Sequence, residues 1–224
     1  MTGIRAVVFD LFGTLIHPWP NAAADELTLM LAEACGTDPG ALRKAWSGAF
    51  DTRMTASLEH TLKLVCERLA IAAPSAELTA PAWRRRLAHA RAALETPRPD
   101  AVPTLRVLRH AGLATALISD CSEDVPLQWE TSPLAPHIDV PLFSCSEGVK
   151  KPDPRIYARA CERLGVPPAE CLYVGDGDST ELQGATAVGM RAVQIRPGDT
   201  FVYPWEGEVI ASLSEVPGLV RPSA

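Results

Sequence analysis

The stretch that most constrains this chain is Ala6–Leu15, AVVFDLFGTL. Four apolar residues, Ala6 to Phe9, stop abruptly at Asp10, and a Gly-containing turn follows. A short apolar run bounded by such a turn reads as a buried strand of a parallel sheet. Asp10 then stands at the carboxyl end of that strand, the edge where open α/β sheets bind ligands. A carboxylate is costly to bury in a core, but in a crevice it is a natural nucleophile.

Downstream of Thr14 the pattern changes. His17, Pro18, Trp19 and Pro20 prevent a regular helix over Leu15–Pro20. From Asn21 to about Glu95 only helices are predicted. The first runs from Asn21 to Cys35 and stops at Gly36; the second starts at Asp38-Pro39 and reaches about Phe50. Leu58, Leu62, Val65 and Leu69 recur at helical spacing within Thr55–Ile71, and a further helix covers Pro81–Leu94. Four helices placed straight after the first strand predict a separate cap over residues 16–97, with 1–15 and 98–224 forming the core.

Pro97-Arg98-Pro99 marks the return to that core. Helices at Ala101–His110, Arg155–Leu164 and Thr180–Val188 then alternate with strands at Leu113–Ser119, Val140–Ser144, Cys171–Gly175 and Arg191–Ile195. This order predicts an α/β fold, a doubly wound parallel sheet with a small all-helical insertion. From Pro197 onward the pattern is weak.

Composition excludes several classes. With 224 residues, 47% of them hydrophobic, the chain is long enough for one sizeable core plus an insertion. Its net charge is −6 and its longest basic run is Arg84-Arg85-Arg86, which argues against nucleic-acid binding. That triplet reads as a solvated helix face. The start, MTGIRAVVFD, leads into a motif rather than a cleavage site, and no apolar run reaches the ~18 residues of a membrane span. A soluble, cytoplasmic protein is expected. Cys35, Cys66, Cys121, Cys145, Cys161 and Cys171 form no C-x-x-C pair and read as free, mostly buried thiols.

Asp10, Ser119 and Asp176 each end a predicted strand, and the loop before Pro152 supplies Lys151. Singly, each has an ordinary reading: a turn cap, a backbone partner, a solvated charge. In a parallel sheet they converge on one edge. FDLFGTL, LISD, KKPDPRIY and VGDGDSTELQGA, in that order, resemble the four motifs of the haloacid dehalogenase-like (HAD) hydrolases. The resemblance covers about residues 4–16 and 99–196, and the helical insertion falls where that superfamily places its cap.

The resemblance implies roles. Asp10 would be the nucleophile, forming a covalent aspartyl intermediate, an aspartyl phosphate if the substrate is a phosphate ester. Thr14 and Ser119 would hold the oxygens of the transferred group. Lys151, or less expectedly Lys150, would neutralise charge. Asp176 would bind Mg²⁺ together with an Asp10 oxygen and the Phe12 backbone carbonyl. Glu181 matches the second acid of the last motif, and Asp178 competes for that place. Asp120 stands where the family often has Asn, beside the substrate.

One departure is large. Phosphatases of the superfamily carry a second aspartate two residues after the nucleophile, as general acid and base; here that residue is Phe12. An aromatic there resembles the metal-independent 2-haloacid dehalogenases, whose departing halide needs no proton. The acidic GDGDSTE run points back to a metal and to phosphoryl chemistry. The leading expectation is a Mg²⁺-dependent hydrolase of a small phosphorylated metabolite; a 2-haloacid dehalogenase and a catalytically weak phospho-ligand-binding relative are the alternatives. His17 could supply the missing proton, although a lone His is more often structural. Trp19, Trp46, Trp83, Arg53 and one of Arg84–Arg86 are candidate substrate contacts, equally readable as cap core or surface. Oligomeric state is not legible.

Overall fold

A computed structural model describes residues 3–198 and 201–220. Strand β1 (Ala6–Phe9) leads into helices α1 (Asn21–Cys35), α2 (Pro39–Ser47), α3 (Phe50–Thr55), α4 (Leu58–Arg68) and α5 (Ala76–Glu95). Next come α6 (Ala101–His110), β2 (Ala114–Ser119), α7 (Asp124–Gln128), β3 (Val140–Phe143), α8 (Ser144–Glu147) and α9 (Pro154–Leu164). The chain closes with β4 (Cys171–Gly175), α10 (Glu181–Ala187), β5 (Arg191–Ile195), β6 (Glu208–Ile210) and α11 (Val216–Val220).

All strand pairs are parallel, in the order β3-β2-β1-β4-β5-β6. The chain winds outward from β1 through β2 and β3, then returns to the other side of β1 for β4 and onward. The winding therefore reverses between β1 and β4, the place where an open α/β sheet forms a crevice. Alternate strand residues feed two cores. Val7, Phe9, Leu117, Leu172, Val174 and Val193 pack with Leu105 and Leu108 of α6 and Val216 of α11. Ala6, Val8, Ala116, Ile118, Tyr173 and Ala192 pack with Ile156 and Tyr157 of α9 and Leu182 of α10. Burial on both faces explains why the strands read as unbroken apolar runs.

The insertion has a core of its own, with Leu27 and Leu31 of α1, Leu42 and Trp46 of α2, Leu62 and Val65 of α4 and Ala82 of α5. It holds five helices rather than the four expected, because α2 stops at Ser47 before Gly48 and α3 starts a new turn at Phe50. Helix α5 begins after Ser75, not at Pro81. Pro81 is exposed in the second turn, where water can satisfy the carbonyl it leaves unbonded. The Arg84–Arg86 triplet is only partly a solvated face. Arg86 lies on the same stripe as buried Ala82 and Ala90, and its side chain is 11% exposed. It reaches Asp124 on α7 at 3.0 Å, one of the contacts joining insertion and core; Lys150 to Asp51 at 3.3 Å is another.

The tail that shows no clear pattern supplies β6 and α11. All six cysteines are free; Cys66, Cys121, Cys161 and Cys171 are buried. Among the described residues, no helix is long and apolar enough to cross a membrane.

Candidate active site

The register of β1 aligns Phe9 with Leu117 of β2 on one side and Val174 of β4 on the other. Asp10 follows one residue beyond Phe9, and Ser119 and Asp176 follow two residues beyond Leu117 and Val174, so all three polar groups stand at the carboxyl edge of the sheet. The Asp10 backbone N–H bonds the Val174 carbonyl at 2.9 Å, holding the carboxylate at the sheet edge. Lys151 arrives on the loop before α9 and donates to Asp10 Oδ1 at 2.6 Å and to Glu181 Oε2 at 2.5 Å. All four side chains are buried: Asp10, Lys151, Asp176 and Glu181 are 5%, 3%, 7% and 0% exposed.

Glu181 is tied by more than Lys151. Its Oε2 also accepts from the Tyr173 hydroxyl at 2.8 Å, and its Oε1 accepts from the Gly177 N–H at 3.0 Å. The Tyr157 hydroxyl donates to the Glu181 carbonyl at 2.9 Å. Glu181 therefore anchors the Lys151 ammonium from below. Asp120 anchors the same residue through the backbone, accepting the Lys151 N–H on Oδ1 at 3.0 Å.

Among the described residues, four buried oxygens at this sheet edge have no hydrogen-bonding nitrogen or oxygen partner: Asp10 Oδ2, Thr14 Oγ1, Ser119 Oγ and Asp120 Oδ2. Native structures rarely bury such atoms idle, so these mark where a ligand is received. Asp10, Asp176 and Glu181 each offer an oxygen within 4.8 Å of the others, a spacing that suits one metal ion. Gly13, at φ 83°, is required beside it, since a Cβ there would run into Asp176 Oδ2. Asp176 is held from two sides: its Oδ1 accepts the Asp178 N–H at 3.0 Å, and Gln194 donates to its carbonyl at 2.8 Å. Ser179 and Thr180 follow at φ 54° and 53°, consecutive left-handed non-glycine residues in the loop that shapes the acid cluster. Asp178 itself is exposed.

Three carboxyl groups thus face one ammonium. Burial first, and then the Asp10 charge, lift the Asp176 carboxyl to about 7 and the Glu181 carboxyl to about 8. The three donors on Glu181 favour its ionised form and so work against that rise. Burial alone would lower the Lys151 pKa, but Asp10 and Glu181 outweigh it and hold the ammonium well above its ordinary range. A carboxyl with a higher pKa in the folded chain binds more protons when folded. Its contribution is present below the unfolded value of about 4 and is lost as pH rises through the folded one. Protein in EDTA is expected to lose thermal stability steadily from about pH 5 to about pH 8, by a few kcal/mol in all, and excess Mg²⁺ is expected to flatten that slope. Melting followed by circular dichroism reads both arms; a Tm in EDTA that rises over this range contradicts the shared-proton picture.

Above the sheet edge lies a cavity of about 560 Å³ between core and insertion. Asp120, Asp176, Asp178, Phe12, Trp19, Trp46, Arg53 and Arg86 all line it. The half-buried Phe12 ring packs edge-on against Trp19, centroids 5.6 Å apart. His17 is exposed and is not part of the cavity wall. Trp83 and Arg84 belong to a second cavity of about 400 Å³, away from the acids, and Arg85 pairs with Glu26 at 2.8 Å.

Sequence reasoning missed Tyr173, Tyr157 and Gln194. The signal was present for Tyr173: a hydroxyl in the middle of a doubly covered strand needs a buried partner. Arg98, read only as part of a hinge, is 6% exposed and donates to the Gly13 carbonyl at 3.3 Å, supporting the turn after Asp10.

A buried carboxylate, an ammonium and a second carboxylate thus meet at the switch point of a parallel sheet, where α/β enzymes bind their substrates. The chain belongs to the haloacid dehalogenase-like hydrolases, whose family model matches residues 4–189. It is 32% identical over 228 aligned residues to (S)-2-haloacid dehalogenase 4A of Burkholderia cepacia, covering 95% of this chain and 93% of that one. To glyceraldehyde 3-phosphate phosphatase of Methanopyrus kandleri it is 40% identical over 105 residues, 46% of this chain and 44% of that protein. The match to this relative therefore spans less than half its length. A solved HAD phosphatase structure from Thermococcus onnurineus shares the fold, with TM-score 0.68 at 24% identity over 96% of this chain and 97% of that one. Relatives named for both chemistries thus match the chain.

Proposed function

We propose that the protein is a Mg²⁺-dependent phosphatase of a small phosphorylated metabolite, with residues 16–97 acting as a cap over the core formed by 1–15 and 98–224. The observation that carries this reading is the buried Asp10, Asp176 and Glu181 cluster balanced by the single Lys151 ammonium. Two of those carboxyls are raised toward neutrality, so the site lacks positive charge and suits a divalent ion. A dehalogenase acting without a metal has no evident use for the third acid.

In this reading Asp10, Asp176 and the Phe12 carbonyl would hold the ion. Glu181, whose oxygens already accept three donors, supports the site chiefly through Lys151. The bound ion would offset the charges of carboxylate and phosphate so that the two can approach. Asp10 Oδ2, unpartnered and buried, attacks phosphorus as the ester P–O bond breaks; the leaving oxygen takes a proton from water or an acid on the substrate. Thr14 and Ser119 donate to the phosphoryl oxygens, and Lys151 holds the other Asp10 oxygen and stabilises the developing charge. Water then cleaves the Asp10 acyl phosphate, releasing inorganic phosphate.

The test is phosphate release from acetyl phosphate and p-nitrophenyl phosphate, in Mg²⁺ and in EDTA, beside chloride release from 2-chloropropionate. Phosphate release lost in EDTA supports the proposal. EDTA-insensitive chloride release would overturn it in favour of the dehalogenase reading, which Phe12 and the full-length haloacid dehalogenase relative favour.

Phe12 leaves the site without the usual acid, and its ring faces the cavity. Phe12→Asp is expected to raise turnover of alkyl phosphates about tenfold or more, since general acid help is worth ~10²–10⁴ and the Trp19 contact is lost. Acetyl phosphate, whose leaving group needs no proton, is expected to gain little. No gain on alkyl phosphates in a folded variant contradicts this explanation of Phe12.

A further inference from the structure

We infer that Arg53 forms a subsite for a second anionic group, so that the preferred phosphate esters carry a carboxylate or a further phosphate beside the reacting one. This rests on the phosphoryl reading above and narrows its substrate class. The cavity is charged unequally: Asp120, Asp176 and Asp178 line it from the core, and Arg43, Arg53 and Arg86, with the one acid Asp25, line it from the insertion. Two of these arginines are already neutralised. Arg43 pairs with Asp25 at 2.5 Å, and Arg86 pairs with Asp124 at 3.0 Å while its guanidinium carbon sits 5.1 Å over the Trp19 ring.

Arg53 differs from both. Among the described residues it makes no ion pair. Its side chain's one hydrogen bond among the described residues goes from Nη1 to the Trp46 carbonyl at 3.0 Å, and its guanidinium carbon lies 5.4 Å from the ring centres of both Trp46 and Phe50. The two rings fix the head group, and most of its five N–H donors stay uncommitted. Burial, and then the Arg86 charge, lower its pKa to about 10, so it remains charged at neutral pH in surroundings that do not repay the charge. A planar cation held this way, opposite the acid cluster, is matched by a carboxylate or phosphate that can accept two parallel bonds. A cation with a purely structural task would need neither the open donors nor the position on the cavity wall.

Non-hydrolysable ligands test this by calorimetry in Mg²⁺, without any turnover. Propylphosphonate, 3-phosphonopropanoate and propane-1,3-diphosphonate share one reacting-group mimic and differ only at the far end. Wild-type protein is expected to bind the latter two on the order of 10- to 100-fold tighter than propylphosphonate, and the tighter of them identifies the anion. Arg53→Met keeps the aliphatic stem between the rings and is expected to bring that ratio near one; Arg53→Lys is expected to restore part of it. Equal wild-type affinity for all three ligands overturns the assignment, even if Arg53→Met fails to fold. A ratio unchanged in Arg53→Met overturns it as well. If none of the three binds, the phosphoryl reading itself fails and the subsite falls with it.

Discussion

Asp10→Asn is expected to reduce phosphate release by on the order of 10⁴-fold or more while leaving the protein folded. An amide oxygen is a far poorer nucleophile than a carboxylate, and no other described carboxylate stands at the end of β1. Glu181 cannot substitute, because its Oε1 and Oε2 accept from Gly177, Lys151 and Tyr173 at 3.0, 2.5 and 2.8 Å. The fold is expected to survive for an electrostatic reason. Three buried carboxyls share one ammonium, so removing one charge relieves repulsion, and Lys151 keeps Glu181 as its partner. In EDTA at about pH 8, Asp10→Asn is therefore expected to melt no lower than wild type. Phosphate release above about 1% of wild type in the folded variant would contradict the nucleophile assignment.

Lys151→Met is expected to damage both function and fold. Its ammonium is buried and holds Asp10 at 2.6 Å and Glu181 at 2.5 Å. Removing one partner of a buried ion pair leaves uncompensated charge and costs ~3–5 kcal/mol. The three acids can partly compensate by taking up protons, so the loss of Tm is expected to be larger at pH 8 than at pH 5. Turnover is expected to fall on the order of 10³-fold, since a buried cation aimed at developing charge acts with little screening. Lys151→Met with wild-type stability at pH 8 would show that the cluster is not balanced by this residue. Lys150 provides the internal control: it lies near Asp51 at 3.3 Å and over the Phe50 ring, away from Asp10, so Lys150→Met is expected to leave the acid cluster's pH response in place.

The positions of Asp10, Ser119 and Asp176 were legible because each ends an apolar run at a turn, and parallel strands align such ends. The boundaries of α1, α6, β1, β4 and β5 followed from the same punctuation, with Gly36 and Gly112 as stops. Other features depend on contacts between distant residues and leave no local trace. Lys151 and Glu181 are 30 residues apart, and nothing in either motif shows that they bond. Arg86 reads as solvent-facing until Asp124, 38 positions on, is known to lie beneath it. Strand β6 is short, exposed at Glu208 and Val209, and exists because β5 offers an edge to pair with. Helix α5 starts before Pro81 because the proline ring faces solvent, which only packing decides.

The most direct measurement is calorimetric titration of Mg²⁺ into metal-free wild type and Asp176→Asn at pH 7.5. One ion per chain in wild type, with binding abolished or weakened at least tenfold in Asp176→Asn, is the expected result. No Mg²⁺ binding by folded wild-type protein, or equal binding by the variant, would contradict the shared metal site between Asp10 and Asp176.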